Sequence, residues 1–235
     1  MSIKVVLFDL DGTLLPMNQH VFTKKYFGLI AEKLALYGYE SEALINAIWA
    51  GTVAMVKNDG ANTNEAVFWN TFSDIFGEKA KKDIVYFDEF YEHYFDNVKV
   101  SCGYNPKASE TVSKIKEMGF RVALATNPIF PSIATEKRMG WAGLSPENFE
   151  LYTTYENSRY CKPNPNYYKD IAEKLDVSPE ECLMVGNDVT EDMVAQTLGM
   201  KVFLITDCLI NKEDIDISVY PNGDFSKLLK YISGK

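Results

Sequence analysis

The stretch Ile3-Lys4-Val5-Val6-Leu7-Phe8-Asp9-Leu10-Asp11-Gly12-Thr13 passes from apolar to acidic within one short element. Residues 3–8 are mostly β-branched or large and apolar, without the alternation of a half-exposed strand. They read as a strand covered on both faces. The break at Asp9 leaves two carboxylates, one residue apart, just past the strand's end, and Gly12 permits a tight turn where the chain leaves.

Outward from this strand the pattern changes twice. From about residue 22 to 98, sets such as Phe27, Ile30, Ala31, Leu34 and Ala35 recur at helical spacing, with breaks near Gly38, Asn58-Asp59-Gly60 and Gly77. This segment reads as an all-helical insert of about four helices. After Gly103-Tyr104-Asn105-Pro106, helices and strands alternate. A helix is expected over residues 107–118, with Gly119 just past its end, and a strand over 121–125, ending in Thr126-Asn127-Pro128. Next come a helix with Pro131 near its start, a short strand around Leu151-Tyr152, a loop carrying Lys162-Pro163 and a helix over 166–175. The strand at 182–185 stops at Gly186-Asn187-Asp188; a helix reaching Gly199, a strand at 201–205 and a short strand with a closing helix in 218–233 complete the chain.

Alternating strands and helices predict an α/β fold, a Rossmann-like parallel sheet covered on both faces with an inserted all-helical cap domain. Residues 1–16 and 100–235 are assigned to the core and 17–99 to the cap. In such sheets ligands bind beyond the carboxyl ends of the strands. Asp9 and Asp11, Thr126 and Asn127, and Asp188 each follow a predicted strand, so they should converge at one sheet edge.

Taken together, Asp9-Leu10-Asp11-Gly12-Thr13, Thr126-Asn127, Lys162-Pro163 and Gly186-Asn187-Asp188 with Asp192 resemble, in order, the four motifs of the haloacid dehalogenase (HAD) superfamily. The helical insert resembles that superfamily's type-1 cap, as in its phosphoglycolate phosphatase and β-phosphoglucomutase-like members. The resemblance implies a Mg²⁺-dependent phosphatase acting on a small phosphorylated metabolite through an aspartyl-phosphate. Asp9 would attack phosphorus, which requires its charge and that of the phosphate to be masked by a bridging cation. Asp11 would protonate the leaving oxygen and later deprotonate water. Thr126, Asn127 and Lys162 would hold the phosphoryl oxygens, with Lys162 also neutralising charge. Asp9, the Asp11 carbonyl and Asp188 would ligate Mg²⁺, which takes oxygen donors and keeps several waters. Many relatives have Gly-Asp where this chain has Gly186-Asn187, so the metal contact is assigned to Asp188. Asp192 and Asn187 are then supporting or alternative contacts, and Asp192 could instead pair with Lys162.

The net charge of −9 and the lack of a basic stripe argue against nucleic acid as a partner. A phosphate-binding site would therefore need local positive charge, since distant exposed charges are screened within ~8 Å. No apolar run approaches the roughly 20 residues that span a bilayer, and the apolar start is too short for a signal peptide, so a cytoplasmic protein is expected. Cys102, Cys161, Cys182 and Cys208 form no Cys-x-x-Cys pair, and with only His20 and His93 beside them no structural zinc site is expected. Oligomeric state is left open.

Competing readings are weaker. A calcium loop would need a Glu at its twelfth position, where the chain has His20. A dehalogenase would not need Asp11 as an acid and base. A sugar phosphomutase would share the intermediate but return the phosphoryl group to a sugar, and a non-catalytic module would be expected to have lost Asp9, Asp11 or Lys162. His20 is read as a polar residue at the entry to the insert. The aromatics Tyr37, Tyr39, Trp49, Phe68, Trp69 and Phe72 are expected to build the insert's own core.

Overall fold

Val5–Phe8 forms strand β1, and all of it is buried. Val6 and Phe8 pack into one apolar cluster and Val5 and Leu7 into another, the two-sided burial that a pleated strand inside a covered sheet requires. The computed structural model describes residues 2–234; the outermost residues of the two expected core segments, 1 and 235, lie outside it. Strands β2 (Arg121–Leu124), β3 (Cys182–Gly186), β4 (Lys201–Ile205) and β5 (Asn222–Gly223) complete a sheet of order β2-β1-β3-β4-β5, parallel at every pairing.

The chain goes from β1 to one neighbour, β2, and then crosses back to β3 on the other side. That reversal is the topological switch point, where the crevice beyond the strand ends opens. Register fixes what stands there. Phe8 pairs with Leu124 and with Val185, so Asp9, Ala125 and Gly186 share the next level, with Thr126 and Asn187 one step beyond. The Asp9 N–H donates to the Val185 carbonyl at 2.9 Å, which ties the first residue off the strand to the sheet.

The insert contains α1 (Gln19–Ala35), α2 (Ser41–Val56), α3 (Asn64–Phe76), α4 (Lys79–Lys82) and α5 (Ile84–His93), followed by a 3₁₀ turn at Phe95–Ser101. The extra helix relative to expectation is the single turn α4, too short to carry a periodic signal. Side chains of Asn18 and Thr63 cap α1 and α3 by accepting from first-turn N–H groups, which otherwise lack partners. The remaining helices are α6 (Pro106–Glu117), α7 (Ser132–Trp141), α8 (Pro165–Lys174) and α9 (Phe225–Ser233). Helices α6 and α8 each begin with an Asn cap followed by Pro, a residue whose missing N–H costs nothing at that position.

Two further elements differ from the sequence expectation. Residues 151–152 contribute only a single bridge, Leu124 to Tyr152, not a strand. The expected helix before Gly199 is a 3₁₀ segment, Met193–Leu198, although Gly199 ends it in the left-handed conformation at φ 86°. Asp192 stands at its start with its carboxylate turned back to the Asp188 N–H at 2.9 Å.

Insert and core meet along several lines: Lys137 and Trp141 of α7 (Ser132–Trp141) donate to Asp96, and two further lines lie at the chain crossings and at the start of α3. The chain enters and leaves side by side: Met17 and Cys102 bridge, and the Gly103 N–H donates to the Pro16 carbonyl at 2.7 Å. The last of these is Asn64, wholly buried at the start of α3. Its amide donates to the Pro128 carbonyl at 3.2 Å and contacts the Cys161 sulfur, and its oxygen accepts from Asn58. The N–H groups of Asn64 and Glu65 donate to the carbonyls of Ser158 and Tyr155. No helix among the described residues is long and apolar enough to cross a membrane.

Candidate active site

The residues singled out in the sequence meet at the carboxyl ends of β1, β2 and β3. Asp9, Asp11, Thr126, Asn127, Asn187, Asp188 and Asp192 all line one cavity of about 330 Å³ between sheet and insert. Lys162 lies beneath it, fully buried, with its Nζ 2.8 Å from Asp9 Oδ1 and 2.6 Å from Asp192 Oδ1. His20 stays exposed in the first turn of α1 and does not line the cavity.

Each carboxylate has a distinct setting. Asp9 is buried; its second oxygen accepts from the Thr13 hydroxyl at 3.0 Å, which also donates to Asn187 Oδ1 at 2.9 Å. Asn187 spends its amide nitrogen on the Cys208 carbonyl at 2.7 Å, so both ends of this side chain serve the local framework. Gly12, at φ 91°, packs directly on that amide, and a Cβ there would collide with it. Gly186 is held for the same reason: the Asp192 carboxylate lies where a Cβ would be. Asp192 is fully engaged by Lys162 and the Asp188 N–H. Asp188 uses only Oδ1, as a cap for the Thr190 and Glu191 N–H groups at 2.8 and 2.9 Å.

Thr126 keeps its hydroxyl free of hydrogen bonds among the described residues, while its carbonyl accepts from Thr153 and Tyr167. Asn127 accepts from the Lys162 N–H and donates to Glu191. The main-chain N–H groups of Leu10 and Asp11 donate to no described residue, which leaves paired donors where an anion would sit.

Two residues not singled out in the sequence belong to this site. Arg138, wholly buried on α7, donates from Nη1 to Asp11 Oδ2, from Nη2 to Thr135 and from Nε to the Ala134 carbonyl. Its guanidinium lies 4.5 Å from the Phe130 ring centre. The available signal was an arginine four residues after Ala134, on the face of α7 that also buries Thr135 and Trp141. Glu191 lines the cavity beside Asn127. Replacing Arg138 by Met is expected to lower unfolding free energy by about 2 kcal/mol, the cost of stripping partners from partly buried polar groups. Arg138→Lys should not restore it, because an ammonium cannot reproduce the planar fork. Denaturant titration of the three proteins measures this, and equal midpoints would remove the structural role.

Electrostatics follow from the crowding of carboxylates. Burial pushes the Asp11 carboxyl up; Arg138 opposes that more strongly than Lys162 does, and the charge of Asp9 adds to it. Asp11 Oδ1 is buried with no hydrogen-bond partner, while Oδ2 is held by Arg138. Burial alone would lower Lys162, yet the charges of Asp192 and Asp9 hold its ammonium well above the ordinary lysine value. Burial, with neighbouring carboxylates, pushes Glu191 up to about 7.

The donor set fits a hard divalent cation. Asp9 and Asp192 together outnumber the one ammonium between them, and Asp188 adds a further carboxyl group at the same wall. The Asp11 carbonyl accepts no hydrogen bond among the described residues, and one Asp188 oxygen is likewise uncommitted. No three acidic, histidine or cysteine side chains converge on one point among the described residues. A cation here would therefore draw on main-chain oxygen and water as well, the habit of Mg²⁺.

Comparison with known proteins finds the same fold. The family model for haloacid dehalogenase-like hydrolases matches residues 3–195. Pyrophosphatase PpaX of Bacillus cereus (strain G9842) is 26% identical over 209 residues, covering 88% of this chain and 84% of that protein. Among solved structures, 2-haloacid dehalogenase from Pseudomonas syringae pv. Tomato DC3000 superposes with a TM-score of 0.65 at 16% identity, covering 99% of both chains. The HAD-hydrolase YfnB of Bacillus subtilis, solved bound to magnesium, superposes with a TM-score of 0.56 at 18% identity, again covering 99% of both chains.

Proposed function

Because the chain belongs to the haloacid dehalogenase-like hydrolases, we propose that it is a Mg²⁺-dependent phosphatase that hydrolyses a small phosphorylated metabolite through a phosphorylated Asp9. The observation that carries this reading is Asp9 itself, fixed at the end of β1 and paired with buried Lys162. Beside it in the same cavity stands Asp11, with one carboxylate oxygen committed to Arg138 and the other free.

Asp9 Oδ attacks phosphorus in line with the ester oxygen, and the P–O bond to the alcohol breaks as the bond to Asp9 forms. Asp11 delivers a proton to the leaving oxygen, then takes one from the water that attacks the acyl phosphate, which frees Asp9 and inorganic phosphate. Burial favours the protonated Asp11 needed for the first of these steps. The Thr126 hydroxyl, the Asn127 N–H and the N–H groups of Leu10 and Asp11 orient the phosphoryl oxygens. Lys162 offsets the charge of Asp9 and keeps it oriented. Mg²⁺ held by Asp9, the Asp11 carbonyl and Asp188 would supply the charge masking that lets two anions meet. Asp188 is preferred to Asp192 because its second oxygen is uncommitted, whereas both oxygens of Asp192 are engaged. The helical segment 17–99 acts as a cap that excludes bulk water and contacts the rest of the substrate.

Incubation with a panel of phosphate monoesters, with and without Mg²⁺, tests the reading by release of inorganic phosphate. Release that depends on Mg²⁺ supports it; none from any ester, including the reactive p-nitrophenyl phosphate, would reject it. The metal assignment has its own test. Asp188→Ala should raise the Mg²⁺ concentration for half-activation by more than about 100-fold, and Asp192→Ala by about 10–100-fold, as a supporting contact does. The reverse order would move ligation to Asp192.

A further inference from the structure

The cavity has two chemically different ends. Its sheet end carries the carboxylates and free N–H groups already described. Its insert end is a sleeve of aromatic and aliphatic side chains, among them Phe22, Phe27, Trp49, Phe68, Trp69 and Phe87. The polar side chains that the insert adds are uncharged, chiefly Gln19, Thr23 and Thr52. Among the described residues no lysine, arginine or histidine lines the cavity at either end.

This pattern restricts what can be attached to the phosphate. A second phosphate or a carboxylate would meet no cation in the sleeve, and across the cavity it would face the carboxyl groups of the sheet end. Desolvating an anion without a partner is strongly unfavourable, whereas an apolar or aromatic group gains from leaving water. Among the sleeve's described buried polar groups, the Trp69 indole N–H alone lacks a well-formed hydrogen bond; Trp69 is 8% exposed, and the Tyr155 hydroxyl beside it is a weak internal acceptor that a better-placed substrate atom would replace. Buried indole N–H groups ordinarily find an acceptor, and Trp69 faces the cavity.

We infer that the alcohol portion of the substrate is an uncharged, largely apolar or aromatic group bearing one hydrogen-bond-accepting atom, which the Trp69 N–H receives. This rests on the phosphatase reading and names the substrate class for the same site. Compounds that carry a second anionic group beside the transferred phosphate, inorganic pyrophosphate and phosphoglycolate included, are disfavoured by the sleeve, and so is a sugar, whose several hydroxyls would find few partners among its aromatic side chains.

The test compares kcat/KM, at saturating Mg²⁺, for benzyl phosphate, 4-methoxybenzyl phosphate, phosphoglycolate and pyrophosphate, with p-nitrophenyl phosphate as a reactive control. The benzyl esters should exceed phosphoglycolate and pyrophosphate by about 10–100-fold, as expected for burying one ring. Equal or reversed values overturn the inference and leave the phosphatase reading standing. If even the control releases no phosphate, the phosphatase reading fails. The sleeve is then judged by calorimetric binding of benzylphosphonate against methylphosphonate: tighter binding of the former by the same factor supports it, and equal binding overturns it. For Trp69, the Trp69→Phe variant keeps a ring and loses the N–H. Its preference for 4-methoxybenzyl over benzyl phosphate should fall about fivefold, the worth of one neutral hydrogen bond; an unchanged preference overturns the assignment.

Discussion

Asp9→Asn is expected to abolish turnover, with kcat reduced by about 10⁵-fold or more, the scale seen when a covalent enzyme loses its nucleophile. The substitution replaces one carboxylate oxygen by an amide nitrogen and leaves the backbone anchor to Val185 untouched. Lys162 keeps Asp192 as a partner at 2.6 Å, so the variant should fold with a near-native melting temperature. Loss of activity then reflects chemistry and not collapse of the site. The same variant should yield no phosphoenzyme in acid-quenched samples, whereas the parent protein should accumulate one that hydroxylamine cleaves, as an acyl phosphate must. A variant retaining a hundredth or more of the rate would remove Asp9 from the role of nucleophile.

Lys162→Met should fail in two ways at once. The ammonium is the one group placed between the buried carboxylates of Asp9 and Asp192. Methionine fills the space but leaves two like charges facing each other out of water. Removing one partner of a buried ionic group costs about 3–5 kcal/mol, which a urea titration would read directly. Activity should fall by about 10³-fold, because a fixed positive group near the transferring phosphoryl is gone. Added Mg²⁺ should raise the melting temperature of this variant more than that of the parent, since a cation binding only the folded protein stabilises it by mass action. A variant as stable as the parent without metal would mean that one of the two carboxyls is already protonated in the folded protein.

The four longer strands of the sheet were readable from the sequence because each is a short, largely apolar run, a signal local to each strand, whereas β5 at Asn222–Gly223 carries no such run. Once the strands are parallel, register does the rest: Phe8 aligned with Leu124 and Val185 sets Asp9, Thr126 and Asn187 at neighbouring levels. Arg138 was not readable in the same way, since its partner Asp11 lies 127 residues away and only the tertiary placement of α7, which packs on α5 and the 3₁₀ turn, brings them together. The aromatic residues of the insert were legible only in part for a related reason. Tyr39, Phe68, Trp69 and Phe72 do build the insert's interior, but Phe68 and Trp69 also line the cavity, together with the exposed Trp49. Helical periodicity gives the apolar face of each helix and says nothing about whether that face meets another helix or a binding space. Asp188 and Asp192 illustrate the limit for polar groups. Their spacing placed both near the strand end, while the choice of which one Lys162 takes depended on Gly186 leaving room for Asp192.

The first N–H groups of any helix have no acceptor within it, and α3 finds acceptors for Asn64 and Glu65 on the far side of the boundary, at Ser158 and Tyr155. Those two amide protons are therefore clocks for the lifting of the insert. Their exchange with deuterated solvent should follow the rate of that local opening and not of global unfolding. A ligand that holds the cavity closed should slow them while leaving amides of β3 and β4 unchanged.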